Sequence, residues 1–117
     1  MILKDIKYEL DKKIHCKYNV IMKKIHFEWD ESKAKSNEIK HKVSFSEASS
    51  VFFDELAIEF EDIEHSDEEE RFLLLGLSRK MKLLLICHCY KDATGNIRII
   101  SARKATKNEA KYYPIGG

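Results

Sequence analysis

The segment RIISARKATKNEAKYY, residues 98–113, joins a short apolar strand pattern to a basic helix pattern. Arg98 and Arg103 stay charged near neutral pH, and a guanidinium can bind two phosphate oxygens at once. Tyr112 follows on the helix, where its ring can stack on a nucleobase or its hydroxyl can donate to a phosphate. The segment therefore indicates a phosphate-binding site where the strand ends. Surface salt bridges for the arginines and a helix anchor for the tyrosine remain the ordinary alternatives.

The alternation of side chains along a strand decides which of these groups can share a pocket. In a regular strand Ser101 and Arg103 lie on one face, and Arg98 lies on the other. The two arginines then line one pocket only if Arg103 has already left the strand.

A second group of candidates lies in an acidic stretch before a predicted strand. His65 and Glu70 precede Arg71, which opens that strand. Titratable groups beside a cation can supply the proton transfer and charge stabilisation that metal-free phosphodiester cleavage requires. A solvated charge run is the alternative. The catalytic candidates are Arg103, Arg98, Arg71, Glu70, His65 and Tyr112.

Further basic side chains can add contacts to the phosphates of a polyanion. Lys33, Lys40 and His41 lie on the first predicted helix, and Lys104 follows Arg103. Each can neutralise a backbone phosphate, which is the main source of nucleic-acid affinity. A solvated helix face is the alternative interpretation of the first three.

The tripeptide CHC at residues 87–89 invites comparison with a metal site. A strand directs Cys87 and Cys89 to one face and His88 to the other, so the three cannot hold one ion without a bulge. The cysteines are better explained as small core residues, and His88 can face a pocket or solvent. Neither a phosphate-binding glycine loop nor a nucleophile elbow occurs in the sequence, so we predict no metal and no cofactor.

The composition limits the class of protein. The chain has 117 residues, 44% hydrophobic and 35% charged, which is typical of one soluble globular domain. It has no apolar run of about 18 residues, which argues against a membrane protein. The first residues lack the pattern of a secretory signal, and the three cysteines suit reduced thiols, so we expect a cytoplasmic protein.

The net charge of +1 conceals an uneven distribution. Residues 54–70 contain ten acids and no Lys or Arg. Elsewhere 21 basic residues face the other ten acids, which leaves +11. Such a surface can attract a polyanion, although two solvated charge sets would give the same counts.

The periodicity predicts an α+β fold of order β-α-α-β-β-β-β-α, an antiparallel sheet flanked by helices. The last four strands should form a meander, with a tight turn at Arg79-Lys80 and another at residues 92–96. The predicted strands cover residues 25–29, 57–63, 71–78, 82–90 and 97–102. The predicted helices cover residues 31–42, residues 45–53 and a segment that begins near Thr106.

Local signals support the helix positions. Asp30 is a predicted N-cap, while Ser44 with Glu47 and Thr106 with Glu109 have the spacing of capping boxes. The first helix should bury a stripe that includes Ala34 and Ile39. The second should bury a face formed by Phe45, Ala48, Val51 and Phe52.

The first 21 residues fit this plan poorly, because their apolar residues keep no period. We expect residues 1–21 to be an extension, either a loosely attached helix or disordered. Residues 22–117 then form a single domain.

Three blocks resemble signatures of a known family. They are FEWDESKAKSNEIKHKVSFSEASSVFFDE, DIEHSDEEERFLLLG and IRIISARKATKNEAKYY, and the match runs from Phe27 to Tyr112. In this order they are similar to the BrnT family, the ribonuclease toxins of BrnT/BrnA toxin–antitoxin modules. The resemblance implies a RelE-like fold and RNA cleavage without a metal. It also implies a ribbon-helix-helix antitoxin of the BrnA type, which forms a 2:2 complex with the toxin on operator DNA.

Two positions depart from the family pattern. Lys42 stands where the family usually has Gly, so a left-handed helix C-cap would be strained or absent. Glu55 stands where Pro is common, which should loosen the turn after Asp54.

The leading hypothesis is therefore a toxin that cleaves RNA, inhibits translation and is neutralised by its antitoxin. An inactive nucleic-acid or partner-binding module with the same fold is the alternative. An ordinary metabolic enzyme is a third hypothesis, which the missing cofactor motifs disfavour.

Overall fold

The computed structural model describes residues 25–66, 69–91 and 95–114, so the predicted extension at residues 1–21 lies outside the described residues. Within these ranges the element order agrees with the predicted one and confirms the α+β class. The strands are β1 (His26–Glu28), β2 (Ile58–Glu61), β3 (Phe72–Leu77), β4 (Leu83–Tyr90) and β5 (Asn96–Lys104). The helices are α1 (Glu31–His41), α2 (Phe45–Ser50) and α3 (Lys107–Ala110), with single 3-10 turns at Val51–Phe53 and Ile63–His65.

The strands form one sheet in the order β1-β5-β4-β3-β2. The meander from β2 to β5 is antiparallel throughout, as predicted. The first strand differs from the predicted all-antiparallel sheet, since β1 pairs with β5 in parallel, from His26 opposite Asn96 to Glu28 opposite Arg98. The side-chain period of a strand identifies the strand but not the direction of its partner, which here is distant in sequence.

The first two helices cover one face of the sheet, called here the helix-covered face. Its core contains a cluster of buried apolar residues: Val43, Phe45, Ala48, Val51, Ala57, Leu74, Leu84, Ile86, Ile99 and Ala102. Phe52 packs against this cluster, so the predicted buried face of α2 is confirmed.

Helix α1 does not bury the stripe that its sequence predicts. Ala34 packs against the core, but Ile39 is 74% exposed. The buried position is Asn37, whose amide donates to the Val43 and Ala102 carbonyls at 3.1 and 2.8 Å and accepts from the Ala102 amide at 3.1 Å. Strand β1 pairs with β5 only as far as Arg98, so the side chain of Asn37 satisfies backbone groups of β5 that lie beyond this pairing.

Side chains cap the helices largely as predicted. The Asp30 carboxylate accepts from the Lys33 amide at 3.0 Å, and Thr106 with Glu109 forms a complete capping box. At α2 only half of the predicted box exists, because Ser44 caps the Glu47 amide while the Glu47 carboxylate accepts from the Ser78 hydroxyl at 2.7 Å. The buried Glu47 side chain therefore makes a tertiary contact with Ser78 and does not close the capping box.

The two departures from the family pattern have different outcomes. Lys42 ends α1 in the left-handed conformation, with φ 61° and ψ 29°, and its amide donates to the Glu38 carbonyl. The C-cap is thus present, although lysine adopts the left-handed conformation less readily than glycine. The turn after Asp54 stays closed without proline, since the Asp54 carboxylate and carbonyl accept from the Leu56 and Ala57 amides at 3.0 and 3.1 Å.

The other face of the sheet, called here the open face, is covered only in part. Leu75, Leu85 and Tyr113 form a small buried cluster there. The Tyr113 hydroxyl donates to the Asp54 carboxylate at 2.7 Å, and burial together with that carboxylate raises the pKa of Tyr113 to about 12. These contacts hold the chain after α3 on the sheet and leave the neighbouring part of the open face exposed. In the described residues, the helices are all too short or too polar to cross a bilayer.

Candidate active site

A β-bulge in β5 changes which side chains share a face. Cys87 pairs with Ser101 but His88 pairs with Ile99, so Ile100 is an extra residue in β5. Cross-strand partners project from the same face, and Arg103 and Arg98 lie opposite Leu85 and Cys89, alternate residues of β4. Both arginines therefore lie on the open face, and the regular strand assumed from the sequence is wrong.

The open face contains a cleft of about 420 Å³ beside α3. Its wall combines apolar residues of the sheet with charged residues of β5, α3 and the β2–β3 connection. The cleft is lined by Asp62, Glu64, His65, Arg71, Leu73, Leu85, Cys87, Ile100, Ser101, Arg103 and Glu109. Three of the six predicted catalytic residues, His65, Arg71 and Arg103, are thus brought together.

The guanidinium of Arg103 is bound by a carboxylate. Its two terminal nitrogens donate to the two oxygens of Glu109, each at 2.8 Å. This pair lowers the pKa of Glu109 to about 2 and raises the pKa of Arg103. The same carboxylate closes the capping box of α3, so Arg103 also attaches that helix to β5.

Arg71 is the cation in the cleft that is not held by a carboxylate among the described residues. Its Nε is buried and lacks a hydrogen-bond partner there. The Arg71 backbone is fixed, because its amide donates to the Ser66 hydroxyl at 3.0 Å and its carbonyl accepts from the Asp62 amide at 2.8 Å. A buried donor without a partner is costly, so this guanidinium is suited to an anionic ligand.

His65 contacts a residue that the sequence reasoning missed. Its Nδ1 lies 3.1 Å from both carboxylate oxygens of Asp62. The only available sequence signal was the D-x-x-H spacing of residues 62–65, which brings the two side chains together on a 3-10 turn.

The cysteines behave as core residues, as predicted. Cys87 and Cys89 are both free and buried. Burial is the main cause that raises the pKa of Cys87 to about 11, and the charge of Asp62 adds to it. The thiol therefore stays protonated at neutral pH and is a poor nucleophile. No cluster of three metal-ligating side chains occurs among the described residues.

His88 is fully buried on the helix-covered face. Its ring contacts those of Phe52, Phe72 and Tyr90, with centroids 4.8 to 6.1 Å apart. The sequence left open whether His88 faces a pocket or solvent. Neither applies, because His88 lies in an aromatic part of the core.

The other three catalytic candidates lie outside the wall of the cleft. Arg98 is on the open face but pairs with Glu28, with Nε and Oε2 3.1 Å apart. Glu70 is exposed. Tyr112 is 60% exposed, and its ring packs edge-on against Phe60.

The predicted RNA-binding residues are also remote from the cleft. Lys33, Lys40 and His41 lie on α1, which packs on the helix-covered face. Lys104 lies opposite Leu84, a core residue of that same face. The cleft and these basic residues are thus on opposite sides of the sheet, and their contact with RNA stays a prediction.

Comparison with known proteins identifies the family of the chain. A family model described as the ribonuclease toxin BrnT of type II toxin–antitoxin systems matches residues 29–109. The chain belongs to the BrnT family. The match includes the β2–β3 connection that lines the cleft and ends at Glu109, the partner of Arg103. The BrnT resemblance seen in the sequence is therefore confirmed.

One solved structure supports the BrnT fold. The crystal structure of the Brucella abortus ribonuclease toxin BrnT is similar, with a TM-score of 0.54 and 19% sequence identity. The alignment covers 71% of this chain and 99% of the Brucella chain. No match was found among curated protein sequences. At this identity the structural likeness shows the fold, and the roles of individual residues must be argued from the cleft itself.

Proposed function

We propose that this BrnT-family chain is an endoribonuclease that cleaves RNA in the cleft of the open face without a metal ion. The observation that carries the proposal is the convergence of a histidine and two arginines, His65, Arg71 and Arg103, on one cleft. Cleavage of RNA would inhibit translation, which is consistent with a toxin of a type II toxin–antitoxin system.

The proposed reaction consists of two proton transfers and an exchange of P–O bonds at phosphorus. Nε2 of His65 takes the proton of the ribose 2′-hydroxyl, and the 2′-oxygen forms a bond to phosphorus. The bond from phosphorus to the 5′-oxygen breaks, and that oxygen takes a proton from solvent, which reaches the open cleft. The products are a 2′,3′-cyclic phosphate and a 5′-hydroxyl.

Arg71 is the better candidate for stabilising the charge that develops on the phosphate. Its buried Nε has no partner among the described residues, whereas the fork of Arg103 is filled by Glu109. A cation in a partly buried site acts strongly on such charge. Arg103 keeps its Nε–H and one Nη2–H outside the Glu109 pair, but the neighbouring carboxylate offsets the charge that Arg103 presents to a phosphate.

The donor chemistry of the cleft agrees with a reaction that uses no metal. Two carboxylates there already bind positive or N–H groups, Glu109 with Arg103 and Asp62 with His65. Arg103 therefore competes with a divalent ion for Glu109, and the His65 ring competes for Asp62.

The proposed partner is a ribbon-helix-helix antitoxin of the BrnA type, in a 2:2 complex that binds operator DNA. Support comes from the membership in a type II toxin–antitoxin family. The free, buried cysteines and an RNA substrate fit the cytoplasm as the proposed compartment.

The function is tested with purified chain and a defined RNA in the presence of EDTA. We expect cleavage that leaves a 2′,3′-cyclic phosphate, and Arg71→Ala should lower the rate by about 10²-fold or more because a charge-stabilising donor is lost. Arg79→Ala is the matched control, since this exposed arginine lies in the β3–β4 turn and binds the Ser46 carbonyl. Loss of all cleavage on chelation, restored by a divalent ion, would contradict the proposal.

An inactive RNA-binding or partner-binding module is the second candidate. The Arg103–Glu109 ion pair favours it, because the carboxylate offsets the positive charge that would otherwise stabilise the transition state. Induction of the chain in bacteria separates the two candidates. Growth arrest that is rescued by a co-expressed antitoxin supports the nuclease, and RNA binding without arrest or cleavage supports the module.

A further inference from the structure

Asp62 lies directly after β2, and its carboxylate holds one side of the His65 ring. Both carboxylate oxygens are 3.1 Å from Nδ1. The Asp62 side chain is 12% exposed, whereas that of His65 is 62% exposed. The imidazole is therefore anchored at Nδ1 while most of its surface remains accessible to a ligand in the cleft.

The chemistry of the contact fixes the tautomer of the neutral ring. An ionised carboxylate only accepts hydrogen bonds, so Nδ1 must donate and the lone pair lies on Nε2. We infer that Asp62 is a positioning residue that holds His65 with Nε2 ready to take the 2′-hydroxyl proton of RNA. The inference rests on the proposed function, since it adds a residue to the same reaction. Once Nε2 is protonated, the adjacent carboxylate stabilises the imidazolium.

The loop around Asp62 ties this pair to the proposed cation. The Asp62 carbonyl accepts from the His65 amide at 3.2 Å and from the Ser66 hydroxyl at 2.6 Å. That hydroxyl accepts from the Arg71 amide at 3.0 Å, and the Asp62 amide donates to the Arg71 carbonyl at 2.8 Å. The backbones of the orienting residue, the base and the cation are therefore joined by hydrogen bonds at the start of β3.

An ordinary structural salt bridge does not account for the Asp62 carboxylate. Among the described residues it makes no ion pair with a lysine or arginine, and its other side-chain contact is the Cys87 thiol, with Sγ and Oδ2 3.8 Å apart. A half-exposed histidine gives little stability to a fold. The pairing is more useful for orienting the ring than for holding the β2–β3 connection.

Kinetics of the full chain test this role. Asp62→Asn keeps the shape but removes the charge, and it should lower kcat by about 10- to 100-fold with KM within about threefold, since the orientation of the base acts on the chemical step. Asp62→Glu should recover part of the loss. Glu61→Gln is the matched control, because this adjacent acid lies opposite Phe72 and projects to the helix-covered face.

A double-mutant cycle separates positioning from stability. If Asp62 acts through His65, then Asp62→Asn should change the rate less than about twofold in a His65→Ala background, because interacting residues are not additive. An equal loss in both backgrounds, or an effect on KM alone, would overturn the inference.

A measurement that does not depend on RNA cleavage completes the test. Nuclear magnetic resonance of isotope-labelled histidine in the full chain should find neutral His65 as the Nδ1–H tautomer, and Asp62→Asn should populate the Nε2–H form. If the wild-type chain cleaves no RNA, the proposed function fails. The tautomer measurement still shows whether Asp62 accepts a hydrogen bond from Nδ1 of His65. An Nε2–H tautomer in the wild-type chain would contradict the inference.

Discussion

The pairing of Arg103 with Glu109 changes how the basic end of β5 can work. From the sequence alone Arg103 is the obvious phosphate ligand, yet both of its terminal nitrogens donate to one carboxylate. An ion pair of this geometry holds α3 in place, and its carboxylate weakens the attraction of Arg103 for a phosphate. The buried Nε of Arg71, which has no partner among the described residues, is the more available donor in the cleft.

The Arg103–Glu109 pair should make the stability of the fold sensitive to acid. The pKa of Glu109 is lowered from 4.5 to about 2 in the folded chain, so its contribution is complete above about 4.5 and is lost as pH falls towards 2. Glu109→Gln should therefore lower the melting temperature at pH 6 and show a smaller further loss between pH 5 and pH 2.5 than the wild-type chain. Thermal unfolding followed by circular dichroism across this range measures both.

The control for that experiment is Glu55→Gln, which removes an exposed acid from the turn after Asp54. It should leave the acid dependence close to that of the wild-type chain. An equal change in the two variants would mean that the ion pair adds no stability.

At the level of elements, the end of α1 shows a local conflict between sequence and backbone. Lys42 adopts φ 61° although a lysine side chain makes this conformation less favourable than it is for glycine. The conformation is kept because the Lys42 amide closes the helix on the Glu38 carbonyl. The next residue, Val43, is fully buried, so the core determines where the helix must stop.

We expect Lys42→Gly to stabilise the fold by about 0.5–1 kcal/mol, because glycine adopts the left-handed conformation without a Cβ penalty. The melting temperature should rise by about 2–6 °C. The matched control is Lys40→Gly in the last turn of α1, which should cost up to about 1 kcal/mol. A loss of stability in Lys42→Gly comparable to that of Lys40→Gly would show that the cap carries no strain.

At the level of the whole molecule, the sheet separates two sets of basic residues. Arg71 and Arg103 line the cleft of the open face, whereas Lys33 and Lys40 lie on α1 over the helix-covered face. A short RNA held in the cleft contacts one side of the sheet. The dominant phosphate contacts should therefore come from the open face.

The salt dependence of RNA affinity tests which face carries the contacts. Removal of one phosphate contact lowers the slope of log K against log salt concentration by about 0.7 for a single strand. Arg71→Ala should show this change, and the double variant Lys33→Ala, Lys40→Ala should leave the slope unaltered. A reduced slope in the lysine variant would instead support the RNA contacts predicted from the sequence.

Local signals in the sequence determined most of the secondary structure. Alternation identified β2, caps at Asp30 and Thr106 marked the helix starts, and three sequence blocks indicated the BrnT family. These features depend on neighbours only a few residues apart, or on a pattern that the family shares. His65 and Arg71 were also proposed from their types and adjacency, and both line the cleft.

Only the tertiary structure decided how the candidate residues are combined. The extra residue in β5 arises from its register against β4, and it turns Arg98 and Arg103 to the same face. The parallel direction of β1 likewise depends on a partner far away in sequence. The availability of a charge depends on which other side chain reaches it, as Glu109 reaches Arg103 and Asp62 reaches His65. A one-dimensional pattern contains the residue types but not these distances, because the distances follow from strand register and packing.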